Sequence, residues 1–493
     1  MDLLSADSDI CAEQLLAQHV SLPAHTREPT ERMMTTRNAL IITVLLGLAL
    51  HGGRVPAQEL GNDWDKMPVA EAPTGEIELA APSAGKDGSV SGRSDLPADD
   101  SVPPTNTTED SSARPQQKTE SVPQPELSPA ARALRDEIRR CLSYYYMRPE
   151  STAERSPWAV LHWIVGFGVD TQLDVGGQRA NAIGWLCWNQ PCAGMQLFTL
   201  ERGLITPRIG PGYQGHEGQF LHMMALSRVP KDFGMKVDGQ DLTIEDLIKR
   251  EQLTCRAGTE LTFKLLALVH YLGTEATWQS NDGQAWSIER LLKEELKQSV
   301  IGAACGGTHR MDALAYAVRR RELRGEPMTG QWARAKKYVE DYQVYTYKLQ
   351  NQDGSFSTSW FEGRGNLNDI NRKLNTSGHT LEWMLLSLPD DQLHDPQLVK
   401  AVEFLKDLLW NYRGHKWEIG PKGHAIHALV LYDERVFGGR AGQRAGDWSK
   451  LANASPELRK TPADPTPADP TPAQPSAKVG SAPKRQGFFS GRR

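Results

Sequence analysis

The chain has 493 residues, a net charge of −5 at pH 7 and 39% apolar residues, enough to bury a large core. Proline, serine, aspartate and threonine crowd both ends while aromatics crowd the middle, so one large central domain fits better than three average ones. The acidic balance and the lack of a basic stripe interleaved with aromatics in the middle argue against nucleic acid as a partner.

Residues 39–50 (ALIITVLLGLAL) form an apolar run preceded by Arg37 and followed by small residues suited to cleavage after Ala57, so residues 34–57 read as a signal peptide. Twelve residues rise only about 18 Å as a helix, short of the roughly 30 Å hydrocarbon core, which makes a membrane anchor through 39–50 the alternative reading. The mature chain is expected to be secreted or periplasmic. Because the run begins late and Met33 or Met34 supplies an ordinary start, residues 1–33 read as a mis-called start. Cleavage leaves Cys141, Cys187, Cys192, Cys255 and Cys305, an odd number in a compartment that permits disulfides.

Residues 58–127 hold too few apolar side chains to offset the entropy of ordering them, and are expected to be a disordered linker. The tail, residues 441–493, contains a short TPADP repeat of polyproline character, so the folded part is expected over 128–440.

Within 128–440 an internal repeat emerges with DGQ as its mark. Asp238-Gly239-Gln240 precedes Thr243-Ile244-Glu245, Cys255 and Gly258-Thr259; Asp282-Gly283-Gln284 precedes Ser287-Ile288-Glu289, Cys305 and Gly307-Thr308. Thr243 and Ser287 are N-caps, each opening a charged, leucine-rich outer helix. A helix with few charges follows, as in Leu261, Leu265, Leu268 and Leu272, whose spacing marks a buried inner helix.

The same inner-helix opening recurs at Gly215-His216, Gly378-His379 and Gly423-His424, and residues 158–166 supply a sixth inner helix. Residues 331–350 and 396–412 are further outer helices, the latter with Asp395-Pro396 as cap and first turn. Alternating polar-faced and apolar helices without a convincing strand pattern predict an all-α fold, an (α/α)6 toroid of repeated helix hairpins.

Gln350-Asn351-Gln352-Asp353-Gly354-Ser355-Phe356 fits the Q-x-x-x-G-x-[WF] motif of squalene and hopene cyclase repeats, with a looser copy at 279–286. Over roughly 240–435 the chain therefore resembles the terpenoid cyclase and protein prenyltransferase toroid superfamily. The resemblance implies that Gln350, Gly354 and Phe356 tie neighbouring repeats together. No D-x-D-D cluster of the class II cyclases is found in the helical region, and no motif matches the prenyltransferase zinc site, although Cys305, His309, Asp312 and His379 are of the right types.

In a toroid, polar residues in the first turns of the inner helices converge on a common mouth. Those residues are His216, Glu217, Glu260, His309, His379, Glu382, His424 and His427. Glu217, His309 and Glu382 depart from the repeat pattern and are the catalytic candidates, since a carboxylate beside an imidazole suits general acid–base work. His216, Glu260, His379 and His424 are candidate ligand-binding residues. Cys305 and His309 are candidate metal ligands. The recurring Gly-His pairs also fit a structural role, glycine allowing a close turn and histidine bonding free amides. Cys255 and Cys305 hold nearly equivalent places, and a disulfide, a thiolate metal site and two inert buried thiols are all open for them; Cys187 and Cys192 are spaced for a local bridge.

Two functions of different class follow: a binding or scaffold role, the mouth taking a peptide, glycan or lipid, which the repeat pattern favours slightly, and an extracytoplasmic enzyme. The enzyme would be a polysaccharide lyase or hydrolase, or an isoprenoid-processing enzyme by the resemblance. The cofactor is not specified by any motif.

Overall fold

The computed structural model describes residues 127–460; the expected start, signal segment, nearly all of the 58–127 linker and the tail beyond 460 lie outside them. The described residues form fourteen α-helices and nine short strands, so the fold is mostly helical, as expected. No helix among them is long and apolar enough to cross a membrane.

The even-numbered helices are α2 (Pro157–Phe167), α4 (Gln219–Leu226), α6 (Thr262–Leu272), α8 (Thr308–Leu323), α10 (Ile370–Ser387) and α12 (Ile419–Phe437). Each packs on the next, and α12 returns to pack on α2. They are largely buried, α2 burying ten of its eleven residues, because other helices cover their outer sides. The odd-numbered ones are α1 (Pro129–Tyr146), α3 (Ala182–Cys187), α5 (Ile244–Leu253), α7 (Ile288–Glu295), α9 (Gly330–Leu349), α11 (Pro396–Asn411) and α13 (Arg444–Ala454), with α14 (Pro456–Arg459) last. These are amphipathic: α11 turns Leu398, Val402, Leu405 and Leu409 inward against α10, α12 and α1.

Contrary to the sequence expectation, short strands recur. β6 (Gly234–Val237) and β7 (Gln240–Thr243) pair antiparallel, as do β8 (Thr277–Gln279) and β9 (Ala285–Ser287). The DGQ mark falls in the turn of both hairpins: in the first, Asp238 and Gly239 have φ of 49° and 81°, the left-handed pair that a two-residue hairpin loop requires, and in the second it lies within the longer 280–284 loop. Strands of three or four residues are too short to display alternation, which is why only their turns stood out. Each hairpin delivers the chain into a capped outer helix. Asp246 accepts from the Thr243 N–H at 2.9 Å, and the Ser287 hydroxyl accepts from the Arg290 N–H at 3.0 Å. Earlier in the chain, β1 (Glu150–Ser151), β2 (Gln172–Val175) and β3 (Gln178–Asn181) form a small sheet, and β4 (Phe198–Glu201) pairs with β5 (Leu204–Pro207).

A buried carboxylate fastens outer to inner helices in two consecutive repeats. Glu295, fully buried at the end of α7, accepts from the Leu261 N–H at 2.8 Å, the Thr262 hydroxyl at 2.5 Å and Arg310 Nε at 3.0 Å. It thereby satisfies free donors at the start of α6. Glu251 takes the equivalent place in α5, meeting Arg250 Nη1 at 2.8 Å and Lys264 Nζ at 3.1 Å. Gln350, at the end of α9, donates to the carbonyls of Gly354 at 3.0 Å and Gln397 at 2.9 Å, joining α9 to the first turn of α11. Gly354 sits at φ +94°, where an added Cβ would lie 2.5 Å from the Lys400 carbonyl oxygen.

Two further expectations need correction. Gly378-His379 and Gly423-His424 do not open their helices but lie inside α10 and α12. The glycines serve helix contact instead. A Cβ on Gly423 would stand 2.0 Å from the carbonyl oxygen of His162 in α2, and one on Gly378 3.0 Å from the backbone of Ala425 in α12. Helical order also continues past residue 440: Trp448 of α13 is buried, and the Ser143 hydroxyl of α1 donates to its carbonyl at 2.6 Å. One tryptophan in a polar stretch left no apolar period to read.

Candidate metal centre on the inner helices

Because α2, α10 and α12 meet at glycine distance, the imidazoles beside those contacts are pressed together. His379 of α10 stacks on His424 of α12 with ring centroids 3.9 Å apart. His309 of α8 lies 5.4 Å from each of them. His162 of α2 is 5.7 Å from His424, and His216, just before α4, is 6.0 Å from His309. His162, His309, His379 and His424 are all buried.

Cys305 reaches this cluster from the turn before α8. Cys305, Gly306 and Gly307 are consecutive left-handed residues with φ of 49°, 64° and 83°. For a cysteine that conformation costs energy and is kept only where the surroundings impose it. Trp360 closes over the turn; a Cβ on Gly306 would collide with its side chain at 2.1 Å. The outcome is that one ligand atom each from Cys305, His309 and His379 lie within 4.8 Å of one another.

The hydrogen bonds around these groups fix which nitrogen faces inward. His379 Nδ1 donates to the Asn375 carbonyl one turn back at 2.9 Å, leaving Nε2 for a ligand. Glu382 accepts from His424 Nδ1 at 2.6 Å and from His427 Nδ1 at 2.5 Å. His309 Nδ1, His424 Nε2 and Asp312 Oδ1 are buried and have no hydrogen-bond partner. Burial, together with neighbouring imidazoles, holds His309 and His379 well below the usual histidine range, so both are neutral and able to coordinate. Burial disfavours the Glu382 carboxylate, yet the adjacent His424 and His427 hold it well below the usual carboxylate range. Burial, then the carboxyls of Asp312, Glu382 and Glu260, push the Cys305 thiol up to about 12. Burial and Glu382 likewise keep Asp312 well above the usual carboxyl range. A divalent cation reverses such a balance by drawing the thiol to thiolate.

Most sequence-predicted residues are thus connected. Cys305, His309, His379, His424, Glu382 and His427 form one contiguous set on α8, α10, α12 and the turn before α8. His216 Nδ1 donates to Glu260 at 2.7 Å on a rim that keeps both side chains partly exposed, and His216 stacks on Phe263 at 4.6 Å. Glu217 is engaged elsewhere, accepting from Arg250 Nη1 at 3.2 Å and standing 3.6 Å from Lys264 Nζ within the Glu251 network. The local Cys187–Cys192 bridge is not formed, and of the alternatives open for Cys255 and Cys305 the disulfide is not formed either: all five described cysteines are free. Cys255 is buried and donates to the Glu251 carbonyl at 3.3 Å.

His162 and Trp360 were not foreseen. A histidine within the apolar run 158–166 was the available signal for the first, while nothing in the local pattern marked the second.

No family model matches the chain, and no curated protein or solved structure is significantly similar to it.

Proposed function

We propose that the chain is an exported (α/α)6 toroid in which a divalent transition metal fastens the inner helices beneath a ligand-binding mouth. The observation that carries this reading is the convergence of Cys305, His309 and His379 within 4.8 Å, from a strained turn and two different inner helices. Mixed thiolate and imidazole donors favour zinc over calcium or magnesium, which take oxygen. The cyclic packing from α2 to α12 and back supports the toroid. The mouth is the rim around His216 and Glu260, since the imidazoles beneath are packed against one another and buried. That packing suits a peptide or glycan bound at the rim better than a long isoprenoid threaded inward.

A second reading, an extracytoplasmic hydrolase or lyase, draws on the His216–Glu260 pair, because a carboxylate that orients an imidazole is a recurring acid–base arrangement. Metal analysis of the purified full chain separates the outcomes. The expected result is one zinc per chain, removed by strong chelators and lost in Cys305→Ser and His379→Gln. A wild-type chain that retains no zinc after equilibration with it refutes the metal reading. Hydrolysis of a polysaccharide panel, abolished by His216→Gln, would replace the binding role with the enzymatic one.

A further inference from the structure

Three donors leave a tetrahedral ion one position short, and that position decides whether the centre holds the fold or performs chemistry. We propose that His424 Nε2 is the fourth ligand and that Glu382 is the residue that positions it, closing the centre as one cysteine and three histidines. This rests on the metal reading above.

Several independent features meet at His424. Its Nε2 is buried and unpartnered, in a side chain only 5% exposed. Its Nδ1 donates to Glu382 Oε2 at 2.6 Å, which sets the tautomer so that the Nε2 lone pair is the one presented. This carboxylate–histidine pairing orients ligands in zinc sites and strengthens the imidazole as a donor. His379 is held by the same device, with the Asn375 carbonyl in the carboxylate's place.

Ring spacing places His424 beside the Cys305, His309 and His379 set, whose ligand atoms lie within 4.8 Å of one another, but outside that group. Imidazoles sharing a tetrahedral zinc at about 2.0–2.1 Å per Zn–N bond have centroids roughly 5 Å apart. His309 stands 5.4 Å from both His379 and His424. The stacked His379–His424 pair, at 3.9 Å, splays by about 1 Å to reach that spacing. The scaffold limits how far it can move, because Gly378 meets the Ala425 backbone and Gly423 the His162 carbonyl. Backbones held so close fix the distance between the helices that carry the two rings. Glu382 spans His424 and His427, so the carboxylate cannot swing without breaking two hydrogen bonds. A sphere filled by four side chains has no open position for water or substrate. Ligand binding then belongs to the rim, and the ion to the fold.

The test uses the full chain loaded with Co(II) or zinc. The wild type is expected to show the intense visible absorption of four-coordinate Co(II) together with thiolate charge transfer, and azide is expected to leave that spectrum unchanged. His424→Gln is expected to weaken zinc, measured by chelator competition, on the order of 100-fold and to open the spectrum to azide, while Glu382→Gln weakens it about 10- to 100-fold. His424→Cys, which returns a donor, is expected to restore tight binding with added thiolate charge transfer, and it keeps the test decisive if His424→Gln does not fold. Wild-type affinity and spectrum in His424→Gln overturn the fourth-ligand assignment alone, as does an azide response in the wild type or a folded His424→Cys that binds no better than His424→Gln. A wild type that takes up no metal overturns the metal reading itself, and this assignment with it.

Discussion

Replacing Glu295 by alanine probes the carboxylate that joins α7 to α6 and α8. It accepts from the Leu261 N–H, the Thr262 hydroxyl, Arg310 Nε and, more weakly, Gln298 Nε2, and both members of the ion pair are buried. Removing one member of a buried ion pair costs about 3–5 kcal/mol, because the other charge is left uncompensated. Here Arg310 keeps its bonds to the Ser299 carbonyl and the Gln298 side chain, so a loss of about 4 kcal/mol is expected, a large share of a typical 5–15 kcal/mol stability. Arg310→Met should cost a similar amount by stranding Glu295. The double variant Glu295→Ala/Arg310→Met strands neither charge and should lose about 5–6 kcal/mol rather than the sum of about 8 kcal/mol, giving a coupling of roughly 2–3 kcal/mol. Urea unfolding followed by far-ultraviolet circular dichroism, with the slope of the transition held in common, measures all four corners of the cycle. A cost below about 1 kcal/mol for Glu295→Ala, or additivity within about 0.5 kcal/mol, refutes the reasoning that this pair fastens the repeats.

Stability should fall in mild acid. Burial foremost holds His162 and His222 near a pKa of about 3, against 6.5 in the unfolded chain. Below pH 6.5 the unfolded state takes up protons that the folded state refuses, so the stabilisation is complete above 6.5 and is lost as pH falls toward 3. Between about pH 7 and pH 5 each histidine contributes a loss of about 2 kcal/mol, and a urea midpoint that stays flat across that window contradicts their buried neutral state. Gly423→Ala forces a Cβ against the His162 carbonyl oxygen and should cost about 3 kcal/mol or more while loosening metal binding, whereas the exposed Gly239→Asn, at a left-handed turn position with open space around it, should leave both nearly unchanged. Trp448→Ala should release α13 from α1 at a cost of about 3–5 kcal/mol, seen as early proteolytic cleavage after residue 440; unchanged protease resistance would show that this helix is not held by its tryptophan.

Local chemistry settled much of this protein in advance. Thr243, Ser287 and Asp395 act as caps because a short oxygen-bearing side chain is what a free helix end needs, whatever the surroundings. Leucine spacing separated buried from half-buried helices for the same reason, since each helix displays its period in its own residues. Those signals sufficed to predict alternating helices and to single out polar residues of the inner helices, His309, His379 and His424 among them, though not that the last two lie inside their helices. They failed where the cause lies in another part of the chain. Gly378 and Gly423 looked like helix openings and are contact points, because a close approach between backbones 47 to 261 residues apart leaves no local pattern. Cys255 and Cys305 looked equivalent by repeat register, yet a left-handed turn under Trp360 aims Cys305 toward the imidazoles while Cys255 donates to the Glu251 carbonyl. The sequence by itself determined which residues would form helices and which faces they would bury. Only the tertiary structure decided which of several similar histidines meet, since that depends on close backbone approach between helices rather than on anything a single helix carries.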